Sequence, residues 1–196
     1  MFQVFSLTFV AIFVALDIVG TLPLYVSMTD GLTEPARKKV CNRSMLVALI
    51  VAIIFMFVGE AVFGHLGIAL YDFRIAGGLV LLLISLADLS GNAEVKSRAS
   101  GQTGIVPLAV PLITGPAVLT TLILQASRAG YLITLGALLI NYVVAWQVLF
   151  HSGIITRLIG KDGTVVISKI AALLLAAIAI SMMRGGIFEA IQTFQH

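Results

Sequence analysis

The sequence predicts an all-α integral membrane protein, with six transmembrane helices forming two inverted three-helix repeats and helices one and four broken. Three observations lead there. Apolar residues make up 60% of the chain and charged residues only 11%, whereas an ordinary soluble domain is roughly a quarter charged. Six apolar runs each approach the about 20 residues that a helix needs to cross a hydrocarbon core about 30 Å thick. Two of these runs are interrupted by glycine and proline at positions that one shift of the chain superimposes.

The runs are residues 4–28, 44–63, 73–90, 105–124, 131–150 and 165–183. In lipid every backbone polar group needs a partner inside the protein, so each run is a helix or a strand of a closed barrel. Continuous apolarity without two-residue alternation excludes the barrel. The chain, 1–196, therefore reads as one membrane domain, with 1–95 and 96–196 as its halves. The tail "GGIFEAIQTFQH" is expected to lie as a short amphipathic segment at the interface. The start "MFQVFSLTF" lacks a basic region and runs on too long for a signal peptide.

Cations set the expected orientation. Arg37, Lys38, Lys39 and Arg43 fall in the first connection, Lys96 and Arg98 in the third, and Arg157 and Lys161 in the fifth, with Lys169 just inside the next helix. The other side carries only Arg74, Arg128 and Arg184. The richer side is cytoplasmic by the positive-inside rule, which places both termini outside. A net charge of +3 spread in this way speaks against a nucleic-acid partner. The single Cys41, expected in a loop, makes no internal disulfide. With the three histidines it shows no metal-ligand spacing, so no cofactor or metal is expected.

Shifting the chain by 95 lays Gly20 over Gly115, Arg74 over Lys169, Ile75 over Ile170, Ala76 over Ala171 and Gly91 over Gly186. The shift pairs run one with run four and run three with run six. Each half then holds three helices, so the second enters the membrane upside down, as in many secondary transporters.

The paired interruptions are "DIVGTLPLY" at 17–25 and "VPLAVPLITGPAVLTT" at 106–121, which hold four of the five prolines. Breaks are expected at Gly20 to Pro23 and at Thr114 to Pro116, because proline removes a donor and glycine admits conformations closed to other residues. Broken backbone at membrane depth is tolerable only where it faces protein or a water-filled cavity. Half-helix ends carry partial charge and can hold a carboxylate, an ammonium or an ion. A small zwitterion suits such a pair.

The candidate substrate-binding residues are therefore Asp17, Gly20, Thr21, Pro23, Thr114, Gly115, Pro116 and Asn141. Asp17 is the one acid placed well inside a run; it binds substrate or a proton, or its oxygens cap the restarted helix at Thr21 and Leu22. The Thr21 and Thr114 hydroxyls face either a solute or their own helix. Asn141 lines the cavity or bridges helices. Gly77 and Gly78 serve close helix packing.

"DIVGTLPLYVSMTDGLT", "FRIAGGLVLLLIS" and "VPLAVPLITGPAVLTT" resemble the MarC family of six-span inner-membrane proteins, over nearly the whole chain. The family is similar to LysE-type amino-acid exporters, and some members carry small neutral amino acids such as glycine and alanine. The resemblance thus implies a solute transporter. Two departures are Ile18 after Asp17, where many members have proline, and Ala117 after Pro116, where glycine is common. The added methyl group beside the second break narrows the pocket.

The expected function is alternating-access transport of a small neutral solute across a prokaryotic cytoplasmic membrane, driven by a proton or sodium gradient. The alternatives are an exporter of another metabolite or drug, and a channel or scaffold. An enzyme is not expected, since no H-E-x-x-H, G-x-S-x-G or aspartate pair is present. Membrane lipid is the other partner, and the residues leave the oligomeric state open.

Overall fold

The computed structural model describes residues 2–29, 31–90 and 108–194, and among these every regular element is helical. The expected boundary between halves, with Gly91, Lys96, Arg98 and Pro107, lies outside the described residues.

The first run is two helices, α1 (Phe2–Leu16) and α2 (Ile18–Met28), separated at Asp17. Next come α3 (Glu34–Leu66) and α4 (Leu70–Leu89). A π-helical turn (Leu108–Ile113) leads through Thr114 and Gly115 into α5 (Pro116–Ala129). The chain finishes with α6 (Tyr131–Phe150) and α7 (Ser152–Phe194).

Local chemistry explains several of these ends. Helix α3 starts behind extended Thr33 with Pro35 in its first turn, where a missing N–H costs nothing. It stops at Gly67, whose φ of +65° favours glycine and lets the Ile68 N–H reach the Phe63 carbonyl. Gly130, at φ +87°, divides α5 from α6.

Among the described residues, five stretches are long and apolar enough to cross a membrane: Phe2–Val26, Glu34–Leu66, Leu70–Ala87, Tyr131–Ile154 and Ala172–Thr193. The fourth expected run is not among them. Helix α5 has 14 residues, a length of about 21 Å at 1.5 Å per residue, and the break at Thr114–Gly115 separates it from the π-helical turn.

Three further expectations change. Helix α3 begins at Glu34, so Arg37, Lys38, Lys39 and Arg43 ride on its opening turns, and Cys41 is buried in the helix instead of lying in a loop. The fifth connection is helical, because α7 is continuous for 43 residues, or about 65 Å. The tail continues that same helix to Phe194.

Two cores organise the bundle. Helices α1, α3, α5 and α6 close around Ile12, Met45, Ala48, Leu122, Leu138 and Tyr142. A second core joins α2, α4 and α7 through Leu24, Leu81, Leu175, Ala179 and Met182. The most extensive helix pair is α4 with α7. There a β-carbon on Gly78 would come within 2.8 Å of the Ala179 carbonyl oxygen, and one on Gly186 within 2.8 Å of that of Tyr71. Backbone lies directly on backbone, the close approach that small residues permit between membrane helices.

The outside is apolar. Leu7, Val14, Val19 and Leu132 are all more than two-thirds exposed, an arrangement that water would not favour and lipid does. Polar contacts mark the two ends. Arg74 pairs with Glu189 at 2.9 Å, tying the start of α4 to the end of α7, while Lys169 donates to the Leu89 carbonyl at 3.0 Å. Lys38 lies 4.7 Å above the Phe150 ring, in a cleft shared with Glu34, His151 and Gly153. The start of α3 and the α6–α7 junction therefore share one end of the bundle.

Candidate functional site

The first break is centred on Asp17, upstream of the expected Gly20 to Pro23. Asp17 has φ +42°, in the left-handed region that aspartate visits more readily than most residues. Its carboxylate accepts the Gly20 N–H at 3.2 Å, and its carbonyl accepts the Thr21 N–H at 2.8 Å. Ile18 is the first helical residue, so Gly20 is the third, the position whose N–H an N-cap carboxylate reaches. The cap thus falls on Gly20, not on Thr21 and Leu22. A β-carbon on Gly20 would lie 2.5 Å from an Asp17 carboxylate oxygen, so glycine there makes room for the cap.

Thr21 closes the other side of the break. Its hydroxyl donates to the Leu16 carbonyl, an orphan at the end of α1, at 3.3 Å. Pro23 lies inside α2, which continues past it. Its missing N–H leaves the Val19 carbonyl without its helical donor.

The second break follows the expected residues. Thr114 donates its N–H to the Ala109 carbonyl at 2.9 Å, Gly115 is extended at φ −80° and ψ 174°, and Pro116 opens α5. Among the described residues, no side chain caps this helix start. The Pro116 ring rests on the bare α-carbon of Gly77 in α4.

These breaks meet in one cleft of about 50 Å³. Asp17, Gly20 and Thr21 line it from the first, and Leu112, Gly115, Pro116 and Ala117 from the second. Three pairs that the shift of 95 superimposes therefore share the cleft: Asp17 with Leu112, Gly20 with Gly115, and Thr21 with Pro116. Leu81, Leu175, Ile178 and Met182 complete the lining as an apolar wall, which sequence reasoning missed because plain apolar residues carry no local signal.

Pro23, Thr114 and Asn141 are not among the lining residues. The fully buried Thr114 hydroxyl donates to the Ala48 carbonyl of α3 at 2.8 Å and bonds the Tyr142 hydroxyl of α6. Asn141 donates to the Phe9 carbonyl at 3.1 Å and to that of Ala137 at 2.9 Å, bridging α6 to α1. Among the described residues, no cation pairs with Asp17 and no three His, Cys, Asp or Glu side chains could hold a metal ion.

A bundle that is apolar outside, with a small, mostly apolar cleft where two helices are interrupted, defines an integral membrane protein. The family model described as MarC family integral membrane protein matches residues 2–191, and the chain belongs to that family. A UPF0056 membrane protein of Archaeoglobus fulgidus is 30% identical, with 94% of this chain and 92% of the relative covered. The UPF0056 inner membrane protein YhgN of Escherichia coli K12 is 32% identical, with 91% and 93% covered. A UPF0056 membrane protein of Methanocaldococcus jannaschii is 30% identical, with 94% and 96% covered. No solved structure matches.

Proposed function

We propose that the chain is a secondary transporter of a small neutral zwitterion, of the size of glycine or alanine, working by alternating access around the cleft between the two breaks. One observation carries the reading: Asp17 and the start of α5, which no side chain caps among the described residues, line the same cleft. The first attracts an ammonium group. The second presents free N–H groups and a positive helix end to a carboxylate. A volume of about 50 Å³ accommodates about three to five water-sized groups, which suits the smallest amino acids.

The shared lining by shift-related residues and the pairing of α4 with α7 support six spans arranged as two inverted repeats. In this arrangement one repeat rocks against the other to expose the cleft to alternate sides. The name of the Escherichia coli relative supports an inner-membrane location, and the cation distribution supports outward-facing termini. The chain is then a carrier and not an enzyme, driven by a proton or sodium gradient, with Asp17 as the proton site in the first case.

Counterflow in proteoliposomes tests this. Liposomes preloaded with unlabelled glycine should accumulate radiolabelled glycine transiently and saturably, as a pore would not. Absence of uptake above empty liposomes for glycine, alanine and serine overturns the reading.

A further inference from the structure

The cleft draws its polar side chains and part of its apolar lining from different helices. The lining residues with polar side chains, Asp17 and Thr21, lie at the first break, and Gly20 and Gly115 bring backbone to the cleft from both breaks. The cleft is also lined by Leu81 from α4 and by Leu175, Ile178 and Met182 from α7, an apolar wall in which none has a hydrogen-bonding side chain apart from the weakly accepting thioether. Residues 175, 178 and 182 recur at the spacing of one helix face. We propose, resting on the carrier reading above, that this wall reads the solute's side chain and that Met182 sets its upper size.

A zwitterion held by its charged ends at the breaks turns whatever else it carries toward the wall. A polar group there loses water and finds no replacement partner, whereas an apolar one is welcome. The class selected is thus a small zwitterion whose side group is absent or apolar.

The wall cannot retreat from a larger solute. Behind it α4 and α7 touch through backbone at Gly78 and Gly186, and Ala179 is fully buried between them. Room can come only from the side chains on the cleft face. Met182, 8% exposed and unbranched, is the most adaptable of them. Its neighbour Met183 packs against Gly78 and is not among the lining residues. The chain therefore supplies a matched pair of methionines, one on the cleft and one off it.

The test is equilibrium binding of radiolabelled glycine, alanine, valine, leucine and serine to the purified full-length protein, as wild type, Met182→Ala, Met183→Ala and Leu175→Ala. Wild type should favour glycine and alanine and bind serine more weakly than alanine. Met182→Ala should raise leucine binding relative to glycine by at least about tenfold, the discrimination that a methylene or two carries in an apolar pocket. Met183→Ala should leave that ratio unchanged. Leu175→Ala, on the same helix face, should move the ratio in the same direction and stands in should Met182→Ala not fold. Glycine binding with an unchanged ratio in both cleft variants overturns the wall and leaves the carrier standing, as does an equal shift in Met183→Ala. Failure of wild type to bind any of the five overturns both.

Discussion

The Asp17 carboxylate occupies the space that a β-carbon on residue 20 would fill, and accepts the Gly20 N–H at 3.2 Å. Ordinarily, glycine to alanine within a helix stabilises by about 0.5–1 kcal/mol. Here the sign should reverse. Gly20→Ala is expected to displace the cap, lower stability by about 1 kcal/mol and weaken glycine binding. Thermal denaturation in detergent beside the binding assay checks it; a rise in melting temperature would show that the carboxylate is not held there.

Asp17 joins two roles that substitution can separate. Asn caps a helix as well as Asp does, so Asp17→Asn should keep the fold while removing the pH dependence of glycine uptake. Asp17→Ala should lose the cap as well, at about 0.5–2 kcal/mol. An uptake profile against pH that is identical in Asp17→Asn and wild type would remove the proton role.

Thr114 belongs to the frame and not to the cleft. Thr114→Val leaves the Ala48 carbonyl and the Tyr142 hydroxyl without their shared partner and should cost about 1–3 kcal/mol. Thr114→Ser should cost much less. Neither should alter the preference for glycine over leucine, and a changed preference would put Thr114 in contact with the solute.

Gly77 and Pro116 form the contact between α4 and the second break. Adding a methyl group at 77 overpacks that contact, with an expected loss of about 1–3 kcal/mol. Pro116→Ala in the same chain should recover part of it. A double-mutant cycle with no coupling between the two positions would contradict the packing described.

Arg74 and Glu189 are the opposite case. Their side chains are 37% and 47% exposed, and an ion pair so open to solvent contributes about 0–1 kcal/mol. Arg74→Gln should therefore leave the melting temperature nearly unmoved, and what effect there is should shrink in high salt.

Much of this was legible in the residues. Apolar runs announced the membrane class, and Gly115 with Pro116 marked the second break at its true place. Gly20 and Pro23 are the stronger helix breakers by residue type, and so point past the true place of the first break. The chain instead turns at Asp17, a residue able to take positive φ and to cap the helix it starts, and the helix runs on through Pro23. The signal was an aspartate three residues ahead of a glycine. The helical fifth connection was hidden by the charges and glycines at 157–163, which locally resemble a loop. Thr114 and the apolar wall depend on contacts between distant segments, which no local pattern records.

The two interruptions differ in how they are held. Thr114 bolts the second to two neighbouring helices through buried hydroxyls, whereas Asp17 and Thr21 secure the first by bonds to its own stretch of chain. A joint whose own hydrogen bonds are all local can open without breaking bonds to the frame. Amide hydrogen exchange should accordingly run faster at Gly20 and Thr21 than at Leu119, making the first break the compliant jaw of the cleft and the second its anvil.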